Sequence, residues 1–158
     1  MKALSSTIGR SADVGPLLMR LGLGAAFTYH GWLKYDGGIG NFAGFLDSLG
    51  VPLADVVAPL QVMAEGIGGL LLIAGVLTRL VTLPLIVIMI GAIALVKVDL
   101  GFLAEGGAPG YAYETVLMAG LLGLLFVGPG RYSVDALIGL EGSESVGLVH
   151  RRGHALAT

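Results

Sequence analysis

The 158-residue sequence has no cysteine. Disulfides, thiolate metal ligands and any dithiol relay on this chain are thereby excluded. Charge is scarce too. Only 13% of the residues are Asp, Glu, Lys or Arg, against about 25% in an ordinary soluble domain. The formal net charge of −2 offers no basic face, so a nucleic-acid partner is not expected. What the sequence has instead is apolar surface: 55% hydrophobic residues and a mean hydropathy of +0.87. A soluble domain of this length leaves roughly a third of its surface wet, and these charges are too few to cover it. The 27 glycines follow no G-X-Y period, and glycine at this level fits close helix packing in lipid. The composition is that of a membrane protein.

A helix needs about 20 mostly apolar residues to cross the hydrocarbon core. Residues 80–96 run without a charge and extend through Lys97 and Val98; 56–77 is a second run, carrying Gln61 and Glu65. Residues 14–33 form a third, interrupted by Arg20 and His30, and 112–127 a fourth, stopped by Pro129 between Gly128 and Gly130. The expected fold is all-α: a polytopic four-helix transmembrane bundle occupying residues 1–137, with 138–158 a poorly ordered cytoplasmic tail. Arg20, and the lack of a small-x-small site before Tyr29, argue against reading the first run as a cleaved signal peptide.

Four crossings place Lys2, Arg10, Arg79, Arg131, Arg151 and Arg152 on one side, and only Lys34 and Lys97 on the other. The basic side faces the cytoplasm, so both termini are expected there. In the first outer loop, Phe42, Phe45, Leu46 and Leu49 recur at helical spacing. They predict a short interfacial amphipathic helix, with Asn41 as its cap. The inner turn between the second and third runs is reduced to Thr78 and Arg79, which makes those helices antiparallel neighbours. The glycine-rich loop 99–110 is expected to be mobile. Small residues four apart (Gly22 and Ala26, Ala64 and Gly68, Ala119 and Gly123) suit either packing within the bundle or a homodimer face.

Ionisable side chains in a span cost about 2.5–3.5 kcal/mol each on insertion scales, so each implies a partner or a task. Glu65 falls roughly 13 Å below the outer end of its span and His30 roughly 6 Å below the end of its own, at 1.5 Å per residue. Lys34 lies one turn beyond His30 on the same face. Lys97 closes the third run and Glu114 opens the fourth. The outer half can thus gather His30, Lys34, Glu65, Lys97 and Glu114. In a purely structural reading Glu65 pairs with His30 or Arg20, and Lys97 with Glu114 or Asp99. In a functional reading they form a polar pocket under the outer interface, with Glu65 and His30 exchanging protons and Lys34, Lys97 and Glu114 binding a polar headgroup that carries a lipid tail; quinone fits. No haem is expected, since a bis-histidine site needs two histidines in the bundle. A metal would have to use His30, Glu65 and Glu114, and none is expected.

Four motifs in order carry a resemblance. They are "FTYHGWLKY" with His30, Gly31 and Lys34, and "AEGIGGLLLIAGVLTRL" with Glu65, Gly68, Gly69, Gly75, Thr78 and Arg79. An acidic residue, Glu114, follows in "GYAYETVLM", and "GPGRYSVDAL" supplies Gly128, Pro129, Arg131, Ser133 and Asp135. The sequence resembles the DoxX family of small bacterial four-span membrane proteins, over about residues 17–137. The family is similar to the membrane subunit of thiosulfate:quinone oxidoreductase, so the resemblance implies quinone-linked redox chemistry. With no cysteine here, a protein partner would have to carry any sulfur or flavin chemistry. The expected function is a quinone-binding membrane subunit of an oxidoreductase complex. The alternatives are a non-catalytic accessory or assembly subunit and a small transporter, for which four spans leave little room.

Overall fold

In the computed structural model, which describes residues 13–103 and 110–140, helices dominate and no strand occurs among the described residues. Helix α1 (Val14–Asp36) leads into the short α2 (Ile39–Ser48). Helix α3 (Ala54–Ala74) and α4 (Thr78–Ala92) follow. A π turn (Ile93–Lys97) and a 3-10 turn (Val98–Leu100) prolong α4, then come α5 (Ala112–Val127) and one turn of α6 (Val134–Leu137). Two helices are long and apolar enough to cross a membrane, Ala54–Ala74 and Thr78–Leu100. The tail beyond Leu140 and the centre of the 99–110 loop lie outside the described residues; the loop's ends are joined where Tyr111 and Ala112 donate N–H groups to the Gly101 and Phe102 carbonyls.

The long helices pack in a ring, α1 on α3, α3 on α4, α4 on α5 and α5 back on α1. Leu23, Phe27, Leu72, Leu85, Leu121 and Leu124 fill its centre. Outside, Leu18, Leu60, Ile67, Leu80, Val87, Val116 and Phe126 are exposed, an apolar perimeter of the kind hydrocarbon covers without cost. The α1–α3 crossing is the closest. A methyl group at Gly31 would meet the Gly66 backbone, and one at Gly69 would meet the Thr28 and Gly24 backbone. Glycine lets the two backbones touch. Of the small-residue pairs expected from spacing, Gly68 packs within the ring on Val81 and Leu85, and Gly123 on Met19, whereas Gly22 faces open space.

Three local expectations are corrected. Asn41 does not cap α2: Gly38 is the N-cap, and Asn41 lies inside the helix, donating Nδ2–H to the Gly37 carbonyl at 2.8 Å. Glycine takes that place because the backbone there has φ +92°, a conformation closed to most side chains. Secondly, α1 continues three residues beyond Leu33, to Asp36. Finally, Thr78 and Arg79 are not the inner turn but the first residues of α4. The turn is Gly75 to Leu77, with Gly75 and Leu77 both left-handed.

That turn is held by the distant GPGRYSVDAL segment. Asp135 accepts N–H bonds from Leu77 at 2.7 Å and Thr78 at 2.9 Å, so its carboxylate sits on the positive end of α4. Its own N–H donates to the Gly75 carbonyl. The cap fixes a leucine at φ 48°, a conformation that costs a non-glycine residue about 1–2 kcal/mol. Arg20 is 1% exposed and donates Nη2–H to the Tyr132 carbonyl. Ser133 caps α6 by accepting from the Ala136 N–H. Pro129 and Gly128 are buried beside this clasp, while Arg79 and Arg131 are exposed.

Candidate functional site

The five ionisable residues expected to gather, His30, Lys34, Glu65, Lys97 and Glu114, do converge at one end of the bundle. Glycines at the α1–α3 crossing bring Lys34 of α1 within reach of Glu65 of α3. The ammonium bonds both carboxylate oxygens, at 2.5 and 2.6 Å. Glu65 is 1% exposed, and Gln61, one turn earlier on α3, donates Nε2–H to its Oε1 at 3.3 Å. Glu65 therefore pairs with neither His30 nor Arg20. Arg20 lies at the opposite end of α1, too far along the helix to meet it. The second pair joins Lys97 to Glu114 Oε1 at 2.6 Å, as the structural reading expected. Lys97 ends the π turn, where an extra residue per turn rotates the side chains that follow.

His30 lies between the two pairs. Its Nδ1 is 2.9 Å from the Ala26 carbonyl. A carbonyl only accepts, so Nδ1 carries the hydrogen and the neutral ring keeps its lone pair on Nε2. The ring stacks on Tyr113 at a centroid distance of 5.7 Å. His30, Lys34, Glu65, Tyr113 and Glu114 all border a small cavity of about 90 Å³, with Phe27, Met89 and Leu117 as its apolar floor.

Beside it runs a larger groove of about 680 Å³ between α2, α3 and α4, within the range usual for ligand sites. Phe42, Phe45, Leu46, Leu60, Pro84 and Val87 make it apolar, and Lys34, Gln61 and Lys97 stand at its polar end. Lys34, Gln61, Ile88 and Ala92 line both spaces, which adjoin at these residues. The Lys34 ammonium also sits 4.9 Å from the Phe42 ring centroid, a cation–π contact that ties α2 to the site. The pairs cancel, two ammonium groups against two carboxylates. The arrangement suits an amphiphile with a neutral polar head and an apolar tail.

One polar atom of the cavity is left over. Glu114 is 6% exposed, and its Oε2 is buried with no hydrogen-bond partner. Gln61 entered the sequence reading only as a polar residue in a span, and Tyr113 only within the GYAYETVLM motif. The i to i+4 spacing of Gln61 and Glu65 was the available signal for the first. Nothing in the spacing announced the stacking of Tyr113 on His30, which joins α1 to α5.

Helices without a strand among the described residues, an apolar perimeter and ion pairs held between the helices make the architecture of an integral membrane protein. The family model described as DoxX matches residues 15–98, and the chain belongs to the DoxX family. It is similar to an uncharacterized membrane protein of Mycobacterium tuberculosis, 35% identical over 75% of this chain and 78% of that one. It is also similar to the Bacillus subtilis protein named "Putative oxidoreductase CatD", 35% identical over 62% of this chain and 71% of the relative. Inner membrane protein YqjF of Escherichia coli is 29% identical over 80% and 93% of the two chains. No solved structure matches. The chain is a membrane protein, and its surroundings are the lipid bilayer.

Proposed function

We propose that this protein is a four-span inner-membrane subunit of a quinone-linked oxidoreductase complex, binding the head of a quinone-class amphiphile at the outer end. In this reading α1, α3, α4 and α5 all cross the bilayer, both termini face the cytoplasm, and residues 1–137 form the membrane domain. The observation that carries it is the pair of buried Lys–Glu bridges standing between an apolar groove and a polar cavity. Burying four charges is costly, and a bundle that needed only stability would be served as well by apolar packing. The groove accepts an isoprenoid tail from the side, and a head without net charge matches a site whose charges cancel.

Interconversion of a quinone and its quinol moves two electrons and two protons. His30 Nε2 and Glu65 are placed to exchange protons with the head. Lys34 and Lys97 offset negative charge at its oxygens. No side chain here carries electrons, so a flavin or sulfur centre on a partner subunit must exchange them. The name of the Bacillus relative supports an oxidoreductase setting. A second reading, a non-catalytic accessory subunit packed on a larger membrane complex, is favoured by the absence of cysteine. Binding of a decyl-tailed benzoquinone to the full-length protein in mild detergent separates the two. Glu65→Gln combined with His30→Ala is expected to weaken binding tenfold or more, and unchanged affinity would sink the quinone reading.

A further inference from the structure

The two cavities differ in what they leave unsatisfied. Among the described residues, five buried side-chain atoms lack a hydrogen-bond partner: Arg20 Nε and Nη1, Thr28 Oγ1, Thr78 Oγ1 and Glu114 Oε2. Glu114 alone among these residues borders the small cavity. Its orphan is a carboxylate oxygen, which when ionised can only accept. His30 also borders the cavity; its Nδ1–H is held by the Ala26 carbonyl, so in the neutral form of the ring Nε2 is an acceptor. The donors nearby, the Tyr113 hydroxyl and the N–H groups that Lys34, Lys97 and Gln61 have to spare, can serve the oxygens of either redox form, so only the acceptors of the site tell the two forms apart. Lys34 gives two bonds to Glu65 with the Phe42 ring against its ammonium, Lys97 bonds Glu114 Oε1, and Gln61 donates to Glu65.

We infer that the cavity is selective for the reduced, hydroxyl-bearing form of its ligand: a benzoquinol donates O–H to Glu114 Oε2 and His30 Nε2, whereas the quinone brings only further acceptors. The inference rests on the quinone-class reading above and adds the redox state that the site prefers. Size agrees with it. A cavity of about 150 Å³ takes a whole benzene ring, so the 90 Å³ available here admits the oxygen-bearing edge of a head, while the rest of the ring and the tail lie in the groove. A buried acceptor left without a donor is penalised heavily. The oxidised ligand leaves Glu114 Oε2 in that state and the reduced one relieves it. Hydrogen-bonding sites discriminate more sharply than apolar ones for this reason.

The test is anaerobic equilibrium dialysis of a decyl-tailed benzoquinone and of its benzoquinol against the full-length protein in mild detergent. A straight-chain decanol serves as competitor. The quinol is expected to bind at least tenfold more tightly than the quinone. A tenfold preference raises the midpoint potential of the bound couple by about 30 mV, the two-electron equivalent. Glu114→Gln keeps a carbonyl for Lys97 and turns an N–H toward the cavity, so the preference should fall to unity or reverse. Glu114→Asp retains a carboxylate and should keep a preference for quinol. Equal affinity of the two forms for the unaltered protein overturns the inference and leaves the quinone-class reading standing. Binding of neither form overturns both. A ratio unchanged in Glu114→Gln, or displacement of the quinol by decanol at equal concentration, also overturns it. If Glu114→Gln does not fold, the ratio and the potential of the unaltered protein still decide.

Discussion

The two ends of this helical bundle bury charge in opposite ways. At the clasp, Asp135 bonds two backbone N–H groups of the α3–α4 turn, and Arg20 reaches the Tyr132 carbonyl. Charges there are tied to backbone, and neither cavity described above includes a clasp residue. At the opposite end the charges are tied to one another through long side chains, Lys34 and Lys97, which remain about a fifth exposed (23% and 19%). A carboxylate locked on backbone amides holds a fold. A carboxylate held by a flexible lysine beside open space has a bond that a ligand can share. On the proposed function, similar residue types thus serve structure at one end and recognition at the other, and the difference lies in whether the partner can move.

The sharpest way to break this comparison is Asp135→Ala. It orphans the Leu77 and Thr78 amides and removes the anion nearest to buried Arg20, a loss of about 3–5 kcal/mol for a broken buried charge partner. Thermal unfolding in detergent should show little or no folded protein. A melting curve close to that of the unaltered chain would mean that the clasp is not structural.

Gly31→Ala comes next, because it links the regions. The added methyl meets the Gly66 backbone, which cannot swing aside as a side chain would. A loss of about 1–3 kcal/mol is expected for overpacking, together with weaker ligand binding, since parting α1 from α3 separates Lys34 from Glu65. Stability and affinity should fall together. Loss of stability with affinity intact would show that the Lys34–Glu65 bridge does not form the site.

The smallest effect on stability is expected from Lys97→Met. Its ammonium is partly exposed and one bond to Glu114 is lost, so the cost should be about 1 kcal/mol, typical of a single hydrogen bond. Affinity for the quinol should nevertheless change several-fold, because Glu114 Oε1 then loses its partner and competes with Oε2 for the quinol hydroxyl. A large drop in melting temperature would make this pair a structural one, like the clasp.

Much of the helical framework was legible because hydropathy is a one-dimensional property. An uncharged run of residues 80–96 has few alternatives to a buried helix, and the phenylalanine and leucine stripe of α2 carries its period in plain view. Boundaries were less legible. Gly38, not Asn41, begins α2, because a backbone demand for positive φ overrides the capping preference of the asparagine side chain. Likewise Gly75 closes α3 and leaves Thr78 free to begin α4 under a cap supplied from residue 135.

The sequence by itself determined that the chain is helical and apolar, that His30, Lys34, Glu65, Lys97 and Glu114 fall toward the same ends of their helices, and to which family it belongs. These follow from composition, spacing and motif order, all properties of neighbours along the chain. Only the tertiary structure decided that Glu65 meets Lys34 rather than Arg20 or His30, that Asp135 caps a helix more than fifty residues away, and that Glu114 keeps one oxygen without a partner. Such pairings depend on how each helix is rotated about its axis and how closely it crosses the next. At the α1–α3 crossing that is set by the contact of Gly31 with Gly66 and of Gly24 with Gly69, a relation between distant positions that no single helical period contains.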